Sequence, residues 1–108
     1  MAQTIVQINY SFSISRAELE KAFLPAAQPI AGTPGLRWKI WLMDEASSTA
    51  GGIYLFDDEA SALAFLNGPI AGSLKTNPVI SNISAKLFGV SEEHTAITRG
   101  PVLKRVRA

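Results

Sequence analysis

Apolar and polar residues alternate strictly near the start of the chain. Over residues 4–12, TIVQINYSF, Val6, Ile8, Tyr10 and Phe12 alternate with Gln7, Asn9 and Ser11. A period of two in β-branched and aromatic residues predicts a strand with one apolar face. The period then lengthens. Ser15-Arg-Ala-Glu18 has the form of a capping box, and Leu19, Ala22, Phe23, Ala26 and Ile30 follow at helical spacing. Pro25 and Pro29 fall inside that pattern, so the helix should kink or end near Leu24. Gly32-Thr-Pro-Gly35 is turn chemistry.

A second strand is predicted over 36–43, LRWKIWLM. Strict alternation puts Leu36, Trp38, Ile40 and Leu42 on one face, and Arg37, Lys39, Trp41 and Met43 on the other. A polar connector runs from Asp44 to Thr49 and ends at Ala50-Gly-Gly52, before a third strand from Ile53 to Phe56. The glycine pair reads as hairpin geometry. Asp57 or Asp58 can cap a helix holding Ala60, Leu63, Ala64 and Phe65, which Gly68-Pro69 stops. Residues 70–78 are consistent with a further helical turn, and 79–88 with a fourth strand whose odd positions Val79, Ile83, Ala85 and Leu87 lean apolar. Ser91-Glu-Glu starts a short helix, broken by Gly100-Pro101.

Strand–helix–strand–strand–helix–strand is the split βαβ, or ferredoxin-like, order. The expected fold is therefore α+β: a four-stranded antiparallel sheet with both helices on one face. Tyr10, Phe12 and Trp38 should point at those helices. The opposite face would be mixed. Gln7, Asn9, Arg37, Lys39, Asn82, Ser84 and Lys86 make it polar, whereas Ile5, Trp41, Met43, Ile80 and Phe88 are apolar. A partner sheet suits such a face. The expectation is a homodimer closing two sheets into an α+β barrel.

With 108 residues the chain has room for one domain, placed at 1–100, followed by a basic tail at 101–108 that contains Lys104, Arg105 and Arg107. Apolar residues form 47% and charged residues 18%, ordinary for a globular domain. A net charge of +1 gives no global argument for nucleic acid or an anionic membrane, and the tail reads as a solvated terminus. Apolar runs of four or five residues, such as 62–66, are too short to span a bilayer. No cysteine is present, which excludes disulfides, thiolate nucleophiles and cysteine–metal sites. The first basic residue is Arg16, so no secretory n-region is apparent, and a cytoplasmic location is expected.

The usual catalytic devices are missing: there is no G-x-G-x-x-G, P-loop, G-x-S-x-G or H-E-x-x-H. The acidic clusters Asp44/Glu45, Asp57/Asp58/Glu59 and Glu92/Glu93 sit at loops or helix starts, where solvation and capping explain them, so no metal site is expected. The one histidine, His94, is the natural candidate proton acceptor, but its polar Glu-Glu-His-Thr surroundings favour a surface position. The aromatic residues permit a flat organic ligand between sheet and helices; an aromatic core is the plainer account.

Two segments are more distinctive. Gly35-Leu-Arg-Trp-Lys-Ile-Trp41 and Ala50-Gly-Gly-Ile-Tyr-Leu-Phe56, followed by Asp58-Glu-Ala-Ser-Ala-Leu-Ala64 and Lys86-Leu-Phe-x-Val90, closely resemble the YdhR family of mono-oxygenases over about residues 3–98. Thr95-Ala-Ile-Thr98 is similar to that family's closing segment; residues 102–108 have no match. The resemblance implies a dimeric α+β barrel. It also implies a cofactor-independent mono-oxygenase acting with O2 on a small quinol- or anthrone-like aromatic. No metal, flavin or haem is expected, in keeping with the missing cofactor motifs. On that reading Trp38 stacks on the substrate, Tyr10 and Tyr54 bind its oxygens, Asn9 polarises a carbonyl and His94 is the base. Phe12, Trp41 and Phe65 complete the expected wall. A non-catalytic binding dimer, or an isomerase or lyase on the same scaffold, are the alternatives.

Overall fold

The alternation of the first strand is kept in three dimensions. In a computed structural model describing residues 3–102, β1 spans Thr4–Phe12, and its even residues Val6, Ile8, Tyr10 and Phe12 are buried. Lys104, Arg105 and Arg107 lie outside the described residues. Helix α1, Arg16–Phe23, opens on a complete capping box. The Ser15 hydroxyl accepts from the Glu18 amide at 3.1 Å, and the Glu18 carboxylate accepts from the Ser15 amide at 3.1 Å. The Ser15 amide, and next its hydroxyl, hold the Glu18 carboxyl below the usual carboxylate range. Pro25 ends α1 as its missing N–H requires: a short 3-10 turn, Leu24–Ala26, leads into α2, Ala27–Ala31.

Strands β2 (Leu36–Asp44) and β3 (Thr49–Phe56) form the hairpin. Helix α3 (Glu59–Leu66) is capped by Asp58, whose side chain accepts from the Ser61 amide at 2.8 Å. Helix α4 (Pro69–Lys75) fills the stretch whose pattern was indistinct, β4 spans Ile80–Gly89, and a short α5 spans Glu92–Ile97. The sheet order is β2-β3-β1-β4 with every pairing antiparallel, the ferredoxin-like topology. Leu19, Ile30, Ala62, Phe65 and Ala71 bring the helices onto one face, where the core lies. Among the described residues no helix is long and apolar enough to cross a membrane.

Two registers differ from simple alternation. Leu36 pairs with Phe56 but Trp38 pairs with Leu55, so Arg37 is an extra residue on β2. The Arg37 side chain turns out of the ladder and pairs with Asp57. Beyond this bulge every β2 side chain changes face. Lys39, Trp41 and Met43 now stand opposite Tyr54, Gly52 and Ala50, on the helix side. Trp38, expected to face the helices, points to the other side, as do Ile40 and Leu42. On β4 a second bulge places two residues opposite Tyr10; Asn82 takes a φ of 53°, and Ile80 enters the core beside Phe12.

The glycine pair is also corrected. Gly51 and Gly52 lie inside β3, not in its turn. A Cβ on Gly51 would collide with the Ile8 carbonyl of the neighbouring backbone. A Cβ on Gly52 would meet the Lys39 side chain at 2.5 Å. One glycine lets strands approach, and the other leaves the path of a lysine open.

Candidate functional site

Between the sheet and helices α1, α2 and α4 lies an inner cavity of about 90 Å³, with Tyr10, Lys39, Trp41, Tyr54, Phe65 and Asn77 in its wall. Tyr10, Phe23 and Trp41 also line a larger outer groove of about 370 Å³ against α1, so the two hollows share a wall. Arg16 and Glu20 stand along this groove and pair with each other at 3.2 Å.

The wall is built by ring packing. Tyr54 lies 5.0 Å from Phe65, Phe56 lies 5.5 Å from Phe65, and Tyr10 meets Phe23 edge-on at 6.1 Å. Among the described residues neither tyrosine hydroxyl has a hydrogen-bond partner. Burial raises the Tyr10 hydroxyl to about 12. Burial, reinforced by the charge Tyr10 would carry if ionised, raises that of Tyr54 as well. Both therefore stay protonated and can donate to a ligand oxygen.

Lys39 is the residue that sequence reasoning passed over. Its stem crosses Gly52, and its Nζ lies 3.2 Å from the Trp41 ring centroid and 4.6 Å from that of Tyr54. Among the described residues it has no carboxylate partner. Burial lowers its pKa to about 7. The signal was present: Lys39 and Trp41, two apart in a strand, necessarily share a face. Which face they share was decided by the bulge.

Tyr10, Trp41, Tyr54 and Phe65 share the wall of the inner cavity, Trp41 having come from the face that plain alternation assigned to the open side. Phe12 is buried but belongs to the core without lining either hollow. Asn9 is on the far face, opposite Gly51 and Ser84. His94 lies exposed on α5, its Nδ1 2.8 Å from the Ser91 hydroxyl, and lines neither hollow. Trp38 donates its indole N–H to the Pro101 carbonyl at 2.6 Å, pinning the end of the described chain onto the open face. Trp38→Phe should remove that tether without touching the cavity. Hydrogen exchange should show faster exchange over residues 91–102, while aromatic-ligand affinity stays at the wild-type value. A loss of affinity would mean that the open face contributes to the site.

Fold and site together define a ferredoxin-like α+β domain with an aromatic cavity between sheet and helices. The chain belongs to the family described as "Putative mono-oxygenase ydhR", whose pattern matches residues 5–101. Among curated proteins none matches the sequence significantly. Solved structures share the fold. A protein of unknown function from Nitrosomonas europaea is 24% identical, with 84% of this chain and 91% of that one aligned and a TM-score of 0.68. SnoaB, a cofactor-independent oxygenase from Streptomyces nogalater, is 19% identical, with 83% and 94% aligned and a TM-score of 0.65. The haem-degrader MhuD from Mycobacterium tuberculosis, solved with two haems in its active site, is 24% identical, with 81% and 95% aligned and a TM-score of 0.63.

Proposed function

We propose that the protein is a cofactor-independent mono-oxygenase that oxidises a small quinol- or anthrone-like aromatic with O2. The observation that carries this reading is the inner cavity together with the groove that shares its Tyr10, Phe23 and Trp41 wall: five aromatic side chains, two of them tyrosines that keep their protons, around one amine. Such a wall stacks on a flat ring and holds its oxygens. Family membership points the same way, and SnoaB shows that a neighbour in fold is a cofactor-independent oxygenase.

The chemistry balances without an external reductant when the substrate offers an activated methylene. Ionisation leaves the C–H electron pair on the ring system, which passes one electron to O2. Recombination forms a C–O bond, and loss of water breaks the O–O bond. The methylene becomes a carbonyl, one oxygen atom enters the product and the other leaves as water. The protein's task is to bind, ionise, orient and exclude water. A haem-based reading has less support: the cavity wall holds no imidazole, since His94 is exposed on α5.

The open sheet face supports the homodimer that completes this reading. Ile40 is 50% exposed there, Ile97 on α5 71%, and Phe88 is exposed too. Leu55, only 1% exposed, sits between Ile5 and Trp38 as the start of a second apolar layer. Two copies facing each other across these residues would bury them.

The test is oxygen uptake by purified protein freed of metal and flavin, offered hydroquinones, naphthoquinols and anthrones. Uptake should saturate with substrate, and fall at least about tenfold in Trp41→Ala while Trp38→Phe retains it. No uptake above heat-inactivated protein, with saturable binding of the same aromatics, would make this a binding protein.

A further inference from the structure

We infer that Lys39 is the acid–base residue of the cavity and that the site selects weakly acidic phenols and enols, which it binds as their anions. This deepens the oxygenase reading and rests on the inner cavity being the substrate site.

The argument begins with charge. Lys39 projects from the middle of β2 into a hollow whose other groups are rings, aliphatic side chains, Ser73, Asn77 and two tyrosine hydroxyls. Among the described residues no Asp, Glu, Arg or His lines that hollow. From the sheet, Tyr10 and Tyr54 are the titratable neighbours; Ser73 of α4 and Asn77 in the connection after it are neutral. The nearest acid along the outer groove, Glu20, is engaged by Arg16. An ammonium here has ring faces as its partners, which stabilise a cation by less than the water they replace. The environment lacks a counter-charge, and an anionic ligand would supply it.

Geometry assigns the proton transfer. Lys39 Nζ sits over the Trp41 and Tyr54 rings, in the same wall as Tyr10, so a hydroxyl that a ligand ring extends into the hollow meets the amine and the tyrosine O–H groups together. At neutral pH part of Lys39 is free amine. Its nitrogen lone pair takes the proton of the ligand hydroxyl: an O–H bond breaks, an N–H bond forms, and the electron pair stays on oxygen. The product is an ammonium–phenolate pair flanked by two donor hydroxyls. Nothing else is consumed. An ionised phenol or enol is also the species that passes an electron to O2, so a residue that ionises the ligand prepares it for the proposed reaction.

The probe is 4-nitrophenol, whose anion absorbs at longer wavelength than the neutral form. It is titrated into the full-length protein at a pH where the free probe is mostly protonated. Bound to wild type, it should show the phenolate spectrum, its apparent pKa lowered by at least about one unit, equivalent to tenfold. Lys39→Met should bind it at least about tenfold more weakly, in the neutral form. Gly52→Ala keeps the lysine but displaces its stem, and should also lose the shift. Lys75→Met, an exposed lysine outside the cavity wall, should behave as wild type.

Absence of saturable binding to wild type would overturn the inference. So would a bound probe that stays protonated, or an unchanged shift in a folded Lys39→Met. The probe reports ionisation without turnover. Ionised probe with no oxygen uptake from any substrate therefore sinks the oxygenase reading alone. Uptake that persists in Lys39→Met sinks this inference alone.

Discussion

Gly51→Ala should destabilise the protein by about 3 kcal/mol or more, seen as a lower denaturant midpoint by circular dichroism. The cause is backbone against backbone. At the β1–β3 junction the added methyl would overlap the Ile8 carbonyl and press on the Asn9 Cα at 3.0 Å. A carbonyl fixed in a ladder cannot rotate away, so the strands must part and lose adjacent hydrogen bonds. Gly52→Ala is the internal control. Its methyl meets the Lys39 Cε at 2.5 Å, and a lysine terminus can swing aside. That variant should remain within about 1 kcal/mol of wild type while disturbing the cavity. Equal losses at the two positions would show that strand glycine is costly to replace here for a general reason, not for the contact described.

The second large effect is a stabilising one. Lys39→Met should be more stable than wild type at pH 6 by about 1–2 kcal/mol, and the difference should shrink as pH rises. In the unfolded chain Lys39 holds its proton to about pH 10, whereas in the folded chain it releases it near pH 7. Below pH 7 both states are charged, and the folded state carries the whole burial penalty. Between there and about pH 10 the unfolded state binds more protons, so wild-type stability rises with pH. Methionine keeps the stem's packing and removes that slope. The ring contacts of the ammonium, about 0.5–1 kcal/mol, offset part of the gain. Urea denaturation of both proteins at pH 6 and pH 9 decides the matter. A pH-independent difference, or a less stable variant at pH 6, would mean that Lys39 is adequately solvated or paired.

The sequence carried most of the architecture because its strongest signals were local. β1 alternates from Val6 to Phe12 without exception, the capping box closes on itself, and Pro25 ends α1 where its missing N–H dictates. Tyr10, Tyr54, Trp41 and Phe65 were legible as an aromatic set. What could not be read was orientation beyond the bulges. On β2 both alternating sets hold large apolar side chains, Trp38, Ile40 and Leu42 against Trp41 and Met43, so hydrophobicity could not decide which faces inward. Neither bulge is marked by Gly or Pro; Arg37 and Asn82 become visible only through cross-strand register. The same ambiguity hid Lys39, since a lysine assumed to face water attracts no chemistry. His94 drew notice by residue type, and α5 buries none of its residues.

The Arg37 bulge reconciles the two ends of one strand. Leu36 stands beside Phe56, and Lys39 and Trp41 stand beside Tyr54 and Gly52, all on the helix side, although plain alternation would put Leu36 and Lys39 on opposite faces. The pairing from Trp38 to Asp44 is continuous with the hairpin turn, so loss of Arg37 would restore plain alternation and leave the lysine and the indole in the cavity. An inserted or deleted residue between Lys39 and the turn would instead exchange them for Trp38, Ile40 and Leu42, so strand length on the hairpin side of the bulge decides which chemistry this scaffold presents.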